Sequence, residues 1–363
     1  MELKDRLLSV DIFRGLTICF MIMVNTPGSW EHVYAPMRHA PWHGFTPTDM
    51  VFPFFMTTVG ISMALSMAGA RTKSDGELMM KIVKRAALIF LVGLLLNYFP
   101  FTKAIADLRI WGVLQRIAAS YLVAGLAVVL LKKEKNILIY TITSLLAYWA
   151  LLYFGGDYTL EGNLNNKIDL WMLGENHLYK GYGIPFDPEG ILGTITGGAH
   201  IAIGYLFSAR YLKKPIDASN SIKGALTWGA ILLVVAFLWN LVFPINKPIW
   251  TSSYVCLASG FALMIYALLF YLIDVKKWTK WAWPFKVFGL NPLASYALSG
   301  LLVKIFSRFF KIDGTSVPSY IYENIMTPAF GPLNGSLAYA IFYTFVIWLF
   351  AYLLYRNKIV VKL

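Results

Sequence analysis

Long apolar runs separated by short polar connections set the pattern of this chain. A bilayer core of about 30 Å takes roughly 20 apolar residues in a helix. Ten stretches approach that length: 9–28, 50–69, 79–100, 111–131, 136–155, 190–208, 222–243, 250–273, 287–307 and 335–355. They predict an all-α polytopic membrane protein, with about ten transmembrane helices in one bundle and a single domain over 1–363. The ninth stretch is the least regular, because 289-GLNPLASYALSG-300 is small and polar. Its Asn and Pro predict a helix that packs inside the bundle and lines a cavity. The opening MELKDRLLSVDIFRGLTICFMIMVN reads as a retained first span. Asp11 and Arg14 interrupt it, and no small-residue cleavage site follows.

Lys and Arg sharpen this picture. They cluster in alternate connections, at Lys4 and Arg6, at Arg71, Lys73, Lys81, Lys84 and Arg85, at Lys132, Lys133 and Lys135, at Arg210, Lys213, Lys214 and Lys223, at Lys276, Lys277 and Lys280, and at Arg356, Lys358 and Lys362. The positive-inside rule then predicts cytoplasmic termini. The other face carries the longer loops, among them 29–49 and 156–189. The second is rich in Asp, Glu, Asn, Gly and Tyr, and reads as a solvated connector or as a face for a polar ligand.

Composition agrees with the pattern. Hydrophobic residues make up 58% of the 363 positions and charged ones 14%, against about 25% charged in soluble domains. The net charge of +13 sits in short clusters between spans, which excludes a nucleic-acid surface and fits lipid headgroups. Cys19 and Cys256 both lie in apolar runs, so neither a disulfide framework nor a CxxC metal site is expected.

Charged groups inside a bilayer cost about 2.5–3.5 kcal/mol each on insertion scales, so those present need a reason. Asp11 and Arg14 are three apart and share a helix face. Two readings stand open for them, an internal pair that fixes helix packing and a polar cavity for an anionic ligand. Arg116 enters the fourth span beside Gln115. Of the five histidines, His32, His39, His43 and His177 fall on the non-cytoplasmic side, and His200 lies within a span. His39 sits at a span mouth, Asp49 follows ten residues later, and Asn25 closes the first span. An imidazole with a free pKa of about 6.5 is suited to taking a proton at neutral pH, and a carboxylate can orient it. His43, four residues on, is separated from His39 by Pro41, so a helical metal pair is not expected.

Several stretches together resemble the heparan-α-glucosaminide N-acetyltransferase family, membrane acetyltransferases of the lysosome with bacterial relatives. They are 6-RLLSVDIFRGLTICFMIMVN-25, 38-RHAPWHGFTPTDMVFPFF-55, 109-RIWGVLQRI-117, 187-DPEGILGTI-195, 245-INKPIWTSSYV-255 and GLNPL at 289–293. The resemblance implies transfer of an acetyl group from cytosolic acetyl-CoA, as co-substrate and without a metal, to the amine of a terminal glucosamine-type sugar across the membrane. It makes His39 the catalytic residue, with Asn25 and Asp49 in the same centre. Arg14, Gln115, Arg116, Asn291 and Ser295 are then expected to serve the CoA donor, and Asp187, Glu189 and Arg109 the acceptor. Relatives imply a homodimer. The spacing from Asn25 to His39 is longer than in the lysosomal enzymes, and no long N-terminal luminal region precedes it. The expectation is therefore a bacterial-type relative in the inner membrane, with His39 periplasmic and a different amino sugar as acceptor. The competing class is a transporter for amino sugars or their oligomers, since intramembrane charges suit that role too.

Overall fold

A computed structural model describes residues 7–69, 74–212 and 216–361. Lys4, Arg6, Arg71, Lys73, Lys213, Lys214 and Lys362, which enter the orientation argument, lie outside those residues. The described residues are mostly helical. In order the helices are α1 (Leu8–Asn25), α2 (Pro47–Ala68), α3 (Asp75–Tyr98), α4 (Val113–Leu131), α5 (Glu134–Gly155), α6 (Leu164–Leu173), α7 (Thr194–Tyr211), α8 (Ala218–Trp239), α9 (Ser252–Phe270), α10 (Trp283–Leu290), α11 (Pro292–Arg308), α12 (Val317–Ile321) and α13 (Thr327–Arg356). A two-residue hairpin of Lys311–Ile312 and Thr315–Ser316 precedes α12.

Each of the ten apolar stretches is helical. Seven helices among the described residues are long and apolar enough to cross a membrane: α1, α2, α4, α5, α8, α9 with its π-turn to Val275, and the Pro332–Arg356 part of α13. The other three differ for visible reasons. The first half of α3 carries Asp75, Glu77, Lys81, Lys84 and Arg85. In α7, Thr, Gly and His dilute the apolar run. The ninth stretch is broken: α10 ends at Leu290 and α11 restarts at Pro292, with Asn291 between them.

Helix starts follow local chemistry. Ser74 and Glu77 form a capping box at α3, each side chain reaching the other's backbone N–H. Asp217, Thr251 and Asn163 cap α8, α9 and α6. Pro47 and Pro292 occupy the first positions of α2 and α11, where no N–H is needed.

The helices group into two compact units. The first comprises residues 1–40, 46–52 and 276–363, and the second 41–45 and 53–275. In the first, α1 packs on α10, α11 and α13. Its approach to α10 is at backbone distance. A Cβ at Gly15 would lie 1.7 Å from the Phe285 carbonyl oxygen, and one at Gly289 would lie 1.9 Å from that of Asp11. Small residues let transmembrane backbones meet in this way. In the second unit, α9 is the most buried span, with 67% of its apolar window inside, whereas α5 and α8 bury 28% each and turn Leu, Ile, Val and Phe outward. Gly60 and Gly204 allow α2 and α7 the same close approach, and the His200 imidazole meets Thr57 Oγ1 there at 2.9 Å. Tyr148, Leu152, Phe186, Phe243 and Ile249 form a buried cluster at the end where the polar loop 156–193 returns.

Candidate active site

In the first unit the loop after α1 is held by its backbone. Gly28 N–H donates to the Ser336 carbonyl, Ser29 N–H to Ser336 Oγ, and Arg38 Nε to the Val33 carbonyl at 2.8 Å. Tyr34 hydrogen-bonds Asn334, and Tyr322 Oη lies 3.2 Å from His32 Nδ1. This pins the loop to the C-terminal helices and delivers His39 to the start of α2. His39 Nδ1 lies 2.6 Å from Asp49 Oδ1. Asp49 is 1% exposed, in the first turn of α2, where the helix N-terminus favours a negative charge. Its other oxygen accepts the backbone N–H groups of Ala40 and Thr46, each at 3.0 Å. The carboxylate is thus fixed on both sides. With Nδ1–H donated to it, Nε2 is left as the basic nitrogen. The His39 side chain is 43% exposed.

Asn25 is the exposed last residue of α1, beside Thr26, whose hydroxyl returns to the Ile22 carbonyl. Arg14 is bonded to Asp11, both mostly buried. Asn291 clips the C-terminal segment: its Nδ2 donates to the Ile359 carbonyl at 2.9 Å, and its Oδ1 accepts Val361 N–H at 2.8 Å. Ser295 Oγ donates to the Asn291 carbonyl one turn back.

In the second unit, stretches far apart in sequence converge on two arginines. The Arg109 fork gives Nε and Nη2 to the two oxygens of Asp187 and Nη2 to Glu189 Oε2, each at 2.8 Å. Its guanidinium also lies 4.6 Å from the Tyr179 ring. Burial works against the Arg109 charge, but the bonds and charge of Asp187 outweigh it and raise its pKa beyond the ordinary value. Burial raises that of Glu189, with Arg109 opposing. One guanidinium faces two carboxylates, so the group carries one net negative charge when all three are ionised.

Arg116 is buried at the start of α4. Its Nη2 reaches the Pro188 and Gly190 carbonyls, and the guanidinium lies 5.5 Å from the Trp250 ring. Gly193 has no Cβ because Arg116 Nη1 takes that space, at 2.1 Å from where it would be. Gln115 is buried beside Gly93 and Gly112. On the other side of the turn, Asp169 Oδ1 accepts Ile191 N–H, and Oδ2 fills the space of the missing Gly190 side chain. Burial pushes the Asp169 carboxyl up to about 7. Asp169 is not foreseen in the sequence, because it sits in a connector whose ten-residue helix is too short and polar to give a strong period. The polar side of 164-LNNKIDLWML-173, with Asn165, Asn166 and Asp169 all buried, is the only sequence signal for it.

His43 belongs to the second unit, and its Nδ1 lies 3.3 Å from the Asn246 amide nitrogen, which also donates to the Trp42 carbonyl. Burial lowers its pKa. Trp42 Nε1 donates to the Tyr158 carbonyl at 2.7 Å.

Known proteins match along the same segments. The family model described as heparan-alpha-glucosaminide N-acetyltransferase, catalytic, matches residues 6–174. That range holds Arg14, Asn25, His39, Asp49, Arg109, Gln115 and Arg116, while Asp187, Glu189, Asn291 and Ser295 lie beyond it. The heparan-alpha-glucosaminide N-acetyltransferase of Homo sapiens is 29% identical over 422 aligned residues, covering 99% of this chain and 60% of that protein. The same-named protein of Mus musculus is 29% identical over 424, covering 99% and 61%. The chain therefore spans about three-fifths of the length of the curated relatives it matches. Over residues 6–174 the chain thus resembles that catalytic family model, and over nearly its whole length it is similar to the human and mouse heparan-alpha-glucosaminide N-acetyltransferases.

Proposed function

We propose that this chain transfers an acetyl group from acetyl-CoA, delivered at the cytoplasmic face, to the amine of an amino sugar on the opposite face of the membrane. The observation that carries this reading is the His39–Asp49 pair, an exposed imidazole on a buried, backbone-bonded carboxylate. His39 Nε2 takes a proton from the amine as nitrogen attacks the thioester carbonyl and the C–N bond forms. The oxyanion collapses, the C–S bond breaks, and the thiolate of CoA receives the proton back from the imidazolium. A two-step route uses the same nitrogen, which accepts the acetyl group and passes it on. Asn25 is the donor assigned to the oxyanion, a role worth about 3 kcal/mol of barrier.

The acceptor is assigned to Asp187, Glu189 and Arg109 in the second unit. Their net negative charge suits an amine that arrives as an ammonium ion. Donor roles fall to Arg14, Asn291 and Ser295 in the first unit and to Gln115 and Arg116 in the second. For the last two, Gln115 Nε2 and Arg116 Nε and Nη1 are buried without a hydrogen-bond partner among the described residues, and such groups suit a polar ligand. Ten spans, cytoplasmic termini, a bacterial inner membrane with His39 periplasmic, and a homodimer complete the proposal.

The test is acetyl transfer from radiolabelled acetyl-CoA to a panel of amino sugars, with His39→Ala as control. Labelled N-acetyl sugar from the wild type alone supports the reading. Uptake of amino sugars into proteoliposomes without acetylation would replace it with transport.

A further inference from the structure

Where α1 meets α10, a cavity of about 380 Å³ opens at the surface of the first unit, lined by Leu8, Ile12, Thr279, Lys280, Trp283 and Lys286. Among the described residues its lining includes two lysines and a threonine and no Asp or Glu. Trp283 is 39% exposed, with its ring packed edge-on against Trp348 at 5.3 Å and Tyr352 at 5.7 Å. Lys286 Nζ lies 5.8 Å from the Tyr355 ring centre. The aromatic cluster thus fixes one wall, and the lysines bring the charge. The same two helices meet at backbone distance at Gly15 and Gly289.

A volume in the range of small-molecule sites, a partly open indole and paired lysines select a flat aromatic group that carries phosphate. A lipid phosphate offers the same charge, but it has no planar ring to set against Trp283. The cavity borders the first turn of α1 and the cluster Lys276, Lys277 and Lys280, the end of the chain's spans that the positive-inside rule assigns to the cytoplasm. Acetyl-CoA carries a phosphorylated adenosine at the end remote from its thioester.

We propose that the α1–α10 cleft seats the phosphoadenosine end of the acyl-CoA donor, with Lys280 and Lys286 on its phosphates and Trp283 against adenine; this rests on the acetyl-transfer reading above. The cleft then anchors the donor by its charged end and leaves the pantetheine arm free to extend.

The test uses the full chain in nanodiscs and two probes, adenosine 3′,5′-bisphosphate and S-acetylpantetheine. Charge-assisted contacts of this kind lead us to expect that Lys280→Gln with Lys286→Gln weakens binding of the bisphosphate by roughly tenfold or more. KM for acetyl-CoA should rise in parallel with kcat held, while KM for acetylpantetheine, which lacks the phosphates, moves less than twofold. Lys280→Arg with Lys286→Arg should restore bisphosphate binding. Unchanged bisphosphate affinity in the Gln variant overturns the assignment. So does a variant that loses only bound phosphatidylglycerol, relative to phosphatidylcholine discs, since the cleft then holds lipid phosphate. A wild type that transfers acetyl yet ignores the bisphosphate refutes this inference alone, whereas a wild type that transfers nothing refutes the functional reading beneath it.

Discussion

Asp49→Asn is the most informative single change. Asp49 Oδ2 holds the Ala40 and Thr46 N–H groups, and Oδ1 holds His39 Nδ1 at 2.6 Å. An Asn has one oxygen, and the two buried N–H donors compete for it. Its NH₂ group then faces His39 Nδ1. A donor against Nδ1 makes that nitrogen the acceptor and moves the proton to Nε2, so the nitrogen that should take the amine's proton already carries one. General-base catalysis of this kind contributes about 10²–10⁴-fold, and the equivalent substitution in a Ser–His–Asp triad lowers kcat about 10⁴-fold through the same tautomer change. We therefore expect kcat to fall by about 10²–10⁴. KM for both substrates should change little, because Asp49 is buried behind the imidazole. The change also exchanges a charge-assisted hydrogen bond for a neutral one, at a cost to stability of about 1–2 kcal/mol. The assay pairs initial rates of labelled acetyl transfer with thermal melting in the same detergent. A kcat within tenfold of wild type, in a protein of native melting temperature, would refute the orienting role of Asp49.

Other perturbations probe the rest of the account. Asp169 has its carboxyl raised from 3.8 to about 7 by burial, so between about pH 4 and 7 the folded chain holds a proton that the unfolded chain has lost. Stability from this group therefore falls as pH rises through that window, by about 4 kcal/mol in all; Asp169→Asn, which keeps the acceptor for Ile191 N–H, should raise the melting temperature at pH 8 and leave it unchanged near pH 4, and an equal change at both would contradict the assignment. Gly15→Ala must clear a contact of 1.7 Å to the Phe285 carbonyl and should cost about 1–3 kcal/mol in unfolding free energy or more; a neutral melt would show that α1 and α10 are not so closely packed. Arg109→Lys removes the fork that holds Asp187 and Glu189 and should raise KM for the acceptor about tenfold with KM for acetyl-CoA unchanged; the reverse pattern would move these residues to the donor.

The sequence and the structure part company for physical reasons. A membrane span demands a long apolar run, so the seven described helices that are long and apolar enough to cross a bilayer announce themselves. The broken ninth stretch is also legible, because Asn291 and Pro292 cannot continue α10. What does not show is any partner distant along the chain. The three carboxylate bonds of Arg109 come from residues 78 and 80 positions away, and nothing in local spacing chooses Asp187 over the other acids of loop 156–189. Asp169 is hidden for the same reason, since its burial comes from the returning turn at 190–193. The His39–Asp49 contact was easier to foresee, because both residues lie in one short loop leading into one helix. Asn291 shows the opposite case: as a polar residue in a membrane-length stretch it invites a cavity reading, yet its amide is engaged by the C-terminal backbone.

The most direct test of the central claim places the two substrates on opposite sides of a sealed bilayer. The chain is reconstituted in one orientation, labelled acetyl-CoA is enclosed on the face that the proposal makes cytoplasmic, and an amino sugar is supplied on the other. The account predicts labelled N-acetyl sugar in the sugar compartment from the wild type, loss of that signal in His39→Ala, and most of it kept in His43→Ala. Undiminished transfer by His39→Ala, or product formed only when both substrates share the acetyl-CoA compartment, would contradict it.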